Sequence, residues 1–319
     1  MTVRALGQLG VGTALVAVPV VLLLSAAATA QTPVPTCGGE TATLVGTEGP
    51  DNLTGTEGND VIVALGGDDL VNGGGEGLGV DLICGGEGND TLNAGGGLIA
   101  ALSGDGGDDT LAPGTTVLSL AFYYDSPVPV TVDLATGTGT GWGNDTFLRV
   151  TGAVGSQHAD VLSGSSRNDY LDGQGGNDQL RALGGSDVVD GDAGDDLLDG
   201  GTGRDTLQYS SPARARIDLT ARIATGWGRD QLVSIEDVMA SRFADVIRGN
   251  GVANRLEGGR GDDAISGLAG NDALLGNLGN DRLAGGTGAD RLDGGAGRDQ
   301  ADGGTGRDRC VAERKKRCP

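Results

Sequence analysis

From residue 46 onward, large apolar residues stand singly at intervals of nine, each between small or polar neighbours. Leu53, Ile62, Val71, Ile83 and Leu92 open the pattern. Leu171, Leu180, Val189, Leu198 and Leu207 resume it, and Ile247, Leu256, Ile265, Leu274, Leu283 and Leu292 carry it furthest. Side chains alternate between the two faces of a strand, so a three-residue strand turns its middle residue one way and its neighbours the other. The pattern therefore predicts very short strands, each sending one apolar side chain inward, joined by tight turns. A fixed short period is the mark of a solenoid, in which stacked repeats share one continuous core. If each nonapeptide is half a turn of a flattened coil, residues i and i+18 stack on the same edge.

The turns have their own formula, Gly-Gly-x-Gly-x-Asp, complete in Gly85-Gly86-Glu87-Gly88-Asn89-Asp90. With 63 glycines and nine aromatic residues among 319, an ordinary globular core is ruled out. Such a composition alone would suggest disorder. The regular period argues against it, because the glycines and the apolar residues keep step. Glycine at the first, second and fourth positions lets the backbone enter φ > 0, so a tight turn can aim its carbonyls at one point.

A longer period overlies the short one. Segments 124–208 and 209–293 match at an offset of 85, pairing Tyr124 with Tyr209, Asp133-Leu134 with Asp218-Leu219, Gly141-Trp142-Gly143 with Gly226-Trp227-Gly228, and Asp145 with Asp230. Each unit is a 31-residue spacer followed by six nonapeptides, and the spacers read as extra strand turns without metal loops.

Charge makes the case for a ligand. The net charge is −22, and much of the excess is aspartate at the sixth position of the turn. Carboxylates stacked in register would repel one another and oppose the compact state. Calcium relieves that repulsion, since it takes six to eight oxygens and favours carboxylates and carbonyls. The candidate ligands are Asp51, Asp60, Asp69, Asp81, Asp90 and Asp109 in a first block, Asp178, Asp187, Asp196 and Asp205 in a second, and Asp263, Asp272, Asp281, Asp290, Asp299 and Asp308 in a third. Asp263, Asp281 and Asp299 should line one edge, and Asp272, Asp290 and Asp308 the other. Four turns replace the fourth-position glycine, with His158, Arg167, Phe243 and Val252, which demotes Asp160, Asp169 and Asp245; Asn254 replaces the acid altogether. Counting same-edge neighbours among intact turns gives roughly nine ions at six to eight ligands each.

These turns resemble the hemolysin-type, or repeats-in-toxin, calcium-binding nonapeptide. The resemblance implies a right-handed parallel β-roll, an all-β solenoid with calcium between adjacent loops. It covers nearly all of residues 46–311. The spacers are similar to segments that alternate with such repeats in secreted calcium-binding proteins; the second copy reads Ile217, Asp218-Leu219, Asp230, Leu232, Ile235-Glu236 and Val238. Proteins with these repeats are often exported through an uncleaved C-terminal signal, and here the chain departs from the pattern. Residues 1–30 read as a cleavable leader: Arg4 is its only charge, 11–24 is apolar, and Ala28-Thr29-Ala30 precedes an expected cut before Gln31. The apolar run is shorter than the ~20 residues of a spanning helix, so no stable membrane insertion is expected after cleavage.

The organisation expected is a leader (1–30), an N-terminal cap (31–45), a first repeat block (46–112), spacer strands (113–154), a second block (155–208), a duplicated spacer (209–239), a third block (240–311) and a basic cap (312–319) closed by a disulfide. Four cysteines fit an oxidising, extracellular destination. Three pairings are possible, of which Cys37 with Cys84 and Cys310 with Cys318 would each close one end of a long object. Cys310 occupies an inward apolar position.

No H-E-x-x-H, G-x-S-x-G or Walker-type loop occurs, so no catalytic residue is assigned and the chain reads as a non-enzyme. His158, the lone histidine, shares its duplicate position with Phe243 and reads as a packing residue. Trp142 and Trp227 read as anchors of the spacer turns, with exposed sugar-stacking platforms as the alternative. The reading is a secreted, calcium-stabilised structural or adhesive protein. The alternative is an extracellular carbohydrate-binding or carbohydrate-active β-helix with a cell-surface or extracellular polysaccharide partner. Nucleic acid, which needs basic surface, is not a partner.

Overall fold

The computed structural model describes residues 34–75 and 79–318, which form strands and turns without a helix. The expected leader lies outside the described residues. The chain coils as a parallel β-solenoid of about 15 turns. One sheet has fourteen parallel strands, from Leu44–Val45 to Arg309–Val311. The other starts at Asn52–Thr54 and ends at Arg314–Lys316, and successive nonapeptides alternate between the two.

The half-turn expectation holds. Leu256, Leu274, Leu292 and Cys310 pair in one sheet, and Ile247, Ile265, Leu283 and Ala301 pair in the other, each 18 residues from the next. In the first block the step widens: Leu70 pairs with Thr91 and Val61 with Leu82. The inward column is buried and forms one cluster along the rod, built chiefly from Leu, Ile, Val and Ala. The three-residue strands therefore supply one side chain each to a core two side chains thick, and lateral hydrogen bonds plus this narrow column must hold the coil.

The spacers are more than extra turns. Thr131–Asp133 pairs in parallel with Val161–Ser165, but its other neighbour, Thr138–Thr140, runs antiparallel, and Asn144–Phe147 then resumes parallel pairing with Thr110–Ala112. Arg216–Asp218, Ile223–Thr225 and Arg229–Val233 repeat this meander. One antiparallel strand is thus inserted into a parallel sheet at each join. Large buried aromatic residues sit here: Tyr123 and Phe147 meet edge to face with centroids 6.5 Å apart, within the range of about 4.5–7 Å usual for such pairs, and Tyr209 takes the corresponding place in the second copy.

Both favoured disulfides form, with Cα–Cα distances of 5.7 Å for Cys37–Cys84 and 5.9 Å for Cys310–Cys318. Cys310 points into the main core as expected. Its bridge turns the tail so that Arg314–Lys316 adds a strand beside Gln300–Thr305, and Arg317 pairs with Asp302 at 2.5 Å. The other bridge corrects the expectation of an end cap. Cys84 follows the inward Ile83, so it faces outward, and the bridge ties the Thr36–Thr41 hairpin to the outer face of the first sheet. There Cys37, Leu82, Ala101, Leu120, Phe122 and Val154 make a second hydrophobic cluster.

Candidate metal sites

The short strands end in turns that bring the sixth-position aspartates into two vertical ladders. The N–H of each aspartate donates to Oδ1 of the next one on its edge, as from Asp263 to Asp281 (2.8 Å), Asp281 to Asp299 (2.9 Å), Asp272 to Asp290 (2.9 Å) and Asp290 to Asp308 (3.1 Å). The same bond links Asp51 to Asp69, Asp60 to Asp81, Asp69 to Asp90 and Asp90 to Asp109, and in the second block Asp178 to Asp196 and Asp187 to Asp205. The expected edges are therefore those observed in the third block.

The second carboxylate oxygen distinguishes the turns. In Asp69, Asp90, Asp109, Asp178, Asp187, Asp196, Asp205, Asp263, Asp272, Asp281, Asp290, Asp299 and Asp308, Oδ2 is buried and has no hydrogen-bond partner. A buried acceptor left unmet costs about 1–3 kcal/mol, more if charged, so thirteen among the described residues require an explanation. Other oxygens converge beside them. A Cβ built on Gly285 would lie 2.4 Å from Asp290 Oδ2 and 2.6 Å from the Gly303 carbonyl oxygen; on Gly276 it would lie 2.2 Å from Asp281 Oδ2 and 2.6 Å from the Gly294 oxygen. Buried carboxylate and carbonyl oxygens gathered around glycine-only space are a donor set suited to calcium.

Burial of the carboxylates has an electrostatic cost when no cation is present. Desolvation pushes Asp178 and Asp109 up to about 8, Asp263 and Asp196 to about 7, and Asp81, Asp90, Asp187 and Asp272 to about 6, against an ordinary value near 4. The backbone N–H bond to Oδ1 works in the opposite direction and does not prevail. A divalent ion would restore the charged form, so these residues fit calcium both by donor type and by charge.

Asp51 and Asp60 are arranged differently. Asp51 Oδ2 accepts from the Thr47 N–H (2.6 Å) and hydroxyl (2.9 Å), and Asp60 Oδ2 accepts from the same groups of Thr56 at the same distances. The demoted acids share this arrangement: Ser156, Ser165 and Ser241 donate N–H and hydroxyl to Asp160, Asp169 and Asp245, and the Asn250 N–H donates to Asn254. The missing fourth-position glycine has a separate cause. A fourth-position Cβ normally strikes the turn stacked beneath, as Gly288 would strike the Gly270 oxygen at 1.7 Å. These six turns open their blocks and have no such turn beneath them; a Cβ on Gly49 would meet nothing within 4 Å. His158 and Phe243 accordingly extend to solvent, which corrects their reading as packing residues.

The ladders end on residues that the period does not mark. Asp145 and Asp230 accept from the N–H of Asp109 and Asp196, while their Oδ2 atoms are held by the hydroxyls of Tyr123 and Tyr209, the latter at 2.9 Å. Tyr123, one residue before the Tyr124 expected, is thus the counterpart of Tyr209. Glu236 and Glu313 end two further ladders by accepting from Asp205 (3.0 Å) and Asp299 (2.7 Å). Half-buried Trp142 and Trp227 sit in turns that close over the last loops: Cβ atoms on Gly143 and Gly228 would each lie 1.5 Å from the oxygens of Gly107 and Gly194. The duplication pointed to Asp145 and Asp230; nothing in the nonapeptide did.

A family model described as RTX calcium-binding nonapeptide repeat matches residues 45–76, 77–97, 154–189, 174–207, 239–274, 248–283 and 275–310, together more than half of the chain. The unmatched stretches include both meanders. A search of the curated proteins found no match.

Proposed function

We propose, from the premise that the chain belongs to the RTX calcium-binding nonapeptide repeat family, that it is a secreted structural or adhesive rod most of which folds as it binds calcium. The thirteen buried Oδ2 atoms without a partner carry this reading. Those aspartates, with Asp81, are the ligands proposed. One ion for each of these fourteen aspartates sets a ceiling of fourteen among the described residues, above the roughly nine obtained by counting neighbouring turns. Each site that binds only the folded chain stabilises it by about 1.4 kcal/mol when calcium is tenfold above Kd, so a set of this size contributes on the order of a whole domain's stability. Two disulfides suit an oxidising, extracellular compartment. Calcium is scarce in the cytosol and abundant outside, so the chain would stay open until exported. A chelator titration followed by far-ultraviolet circular dichroism tests the reading: most of the β signal should be lost with calcium and return with it, and a signal indifferent to chelator would sink the proposal.

A second reading, polysaccharide binding, has one observation in its favour. A cavity of about 630 Å³ lies between the first meander and the second block, where Thr136, Phe147, Arg149, Ser166 and Arg167 offer hydroxyl, aromatic and cationic contacts. Retention on immobilised acidic polysaccharide, lost in Arg149→Ala with Arg167→Ala, is the expected outcome if that surface is used.

A further inference from the structure

We propose that the residue at the second position of each turn decides whether the turn takes an ion, and that each block opens with one full coil that takes none. This rests on the calcium-binding reading above and refines it to individual turns.

The turns fall into two conformations. In the thirteen six-residue turns ending at Asp69, Asp90, Asp109, the four acids of the second block and the six of the third, the second residue has positive φ, as has Gly74 at the second place of the longer turn that leads to Asp81. Half of these residues are not glycine, including Leu65 (φ 80°), Gln174 (68°), Leu268 (77°) and Asn277 (72°). Glycine at this position is therefore not what defines the turn. What the turn requires is a residue that accepts the left-handed region. With φ positive the peptide N–H turns away from the turn's own aspartate; in several cases it donates instead to the Asx side chain two residues back, as from Gln174 to Asp172 (3.1 Å) and Gly295 to Asp293 (3.2 Å). Oδ2 is left open.

The remaining six turns have Thr47, Thr56, Ser156, Ser165, Ser241 or Asn250 at this position, and none of these has positive φ. Each side-chain oxygen accepts from the N–H two residues on, as from Gly58 to Thr56 (3.1 Å), His158 to Ser156 (3.0 Å) and Val252 to Asn250 (3.0 Å). That local bond is the familiar Ser/Thr/Asn turn, and it holds the second residue in the ordinary region. The N–H then points at the acid and fills Oδ2. The surrounding oxygens have not dispersed: a Cβ on Gly155 would lie 2.5 Å from Asp160 Oδ2 and 2.8 Å from the Gly173 oxygen, much as in open turns. Protein donors occupy the carboxylate where an ion would otherwise be bound.

Position in the fold gives the pattern its sense. The six turns are the first two of each block, one on each edge. Every ladder of open carboxylates therefore starts from a coil in which the second residue's own N–H occupies the side-chain oxygen that is open in the turns above, although Asp169 keeps its Oδ1 unmet.

Thr56 offers the cleanest test, because its turn has glycine at the first and fourth positions and a sixth-position aspartate. Bound calcium per chain is measured on the full-length secreted protein by elemental analysis after equilibrium dialysis and by titration calorimetry, for wild type, Thr56→Gly and Leu268→Ser. Thr56→Gly should bind one ion more than wild type, and Leu268→Ser one fewer, each with an unchanged circular dichroism spectrum at saturating calcium. Unchanged stoichiometry in both variants overturns the inference while leaving the calcium reading intact. A wild-type chain that binds no calcium overturns the calcium reading itself.

Discussion

The first and third repeat blocks share a formula but are held together differently. In the first, the outer face of one sheet carries a second hydrophobic cluster stapled by Cys37–Cys84, and three of its acids have an unmet oxygen. In the third, the corresponding outer positions mix Arg255, Arg291, Arg309, Glu257 and Asp293 with Ala273, Leu275 and Val311 and form no buried cluster, the core column narrows to Ala301 near its end, and six acids have an unmet oxygen. Apolar burial acts without metal, whereas an unmet carboxylate is a liability until a cation arrives. Stability should therefore pass from packing to calcium along the rod.

Chelation should expose this difference most strongly. Six sites at tenfold saturation supply about 8 kcal/mol, so amides of 255–311 should lose hydrogen-exchange protection in chelator while those of 61–63, 82–84 and 120–122 keep much of theirs. Uniform loss along the chain would erase the contrast. The metal-free third block should also recover with acid. Desolvation raises Asp263 to about 7 and Asp272 to about 6, above their unfolded values, so the folded state binds more protons. Stability from these groups is full below about pH 4 and is lost as pH rises through 6 to 7. In chelator the block should be more ordered at pH 5 than at pH 8, as circular dichroism would show, and saturating calcium should flatten the dependence.

The disulfides should differ in the same sense. On loop-closure entropy, Cys37→Ser with Cys84→Ser costs about 4 kcal/mol and Cys310→Ser with Cys318→Ser about 2.5 kcal/mol, measured by denaturant unfolding at saturating calcium. Smaller again is Tyr209→Phe, which strips the hydroxyl from Asp230 Oδ2 and should cost about 1–3 kcal/mol even with calcium present. At the lower end of the scale, Asp281→Asn should remove one ion and about 1.4 kcal/mol at tenfold saturation, while Asp51→Asn should leave the ion count unchanged.

The nonapeptide period disclosed the parts of the fold that repeat: the inward column, the 18-residue step and the two edges. It failed where one residue's conformation, rather than its spacing, decides. Thr56 and Leu65 both break the Gly-Gly formula, yet one fills its aspartate and the other leaves it open, because a hydroxyl can hold its own turn and a leucine cannot. The inserted strand Thr138–Thr140 is three residues long with glycine at its centre, too short to show alternation. The outward turn of Cys84 was implicit in its place after Ile83, and the tyrosine doublet concealed a one-residue shift between the two spacers.

The Tyr–Asp pairs and Gly-Trp-Gly turns of each spacer, with the hydroxyl-filled coil that follows them, have a consequence for how such a chain lengthens. A ladder of one segment ends on the spacer of the next, as Asp196 does on Asp230 and Asp205 on Glu236, whereas a coil that starts on its own serines needs nothing from the segment before. An 85-residue cassette that begins with such a spacer closes the ladders before it and starts its own, so it can be copied in tandem without creating a half-built junction, and the matching segments 124–208 and 209–293 are the record of one such event.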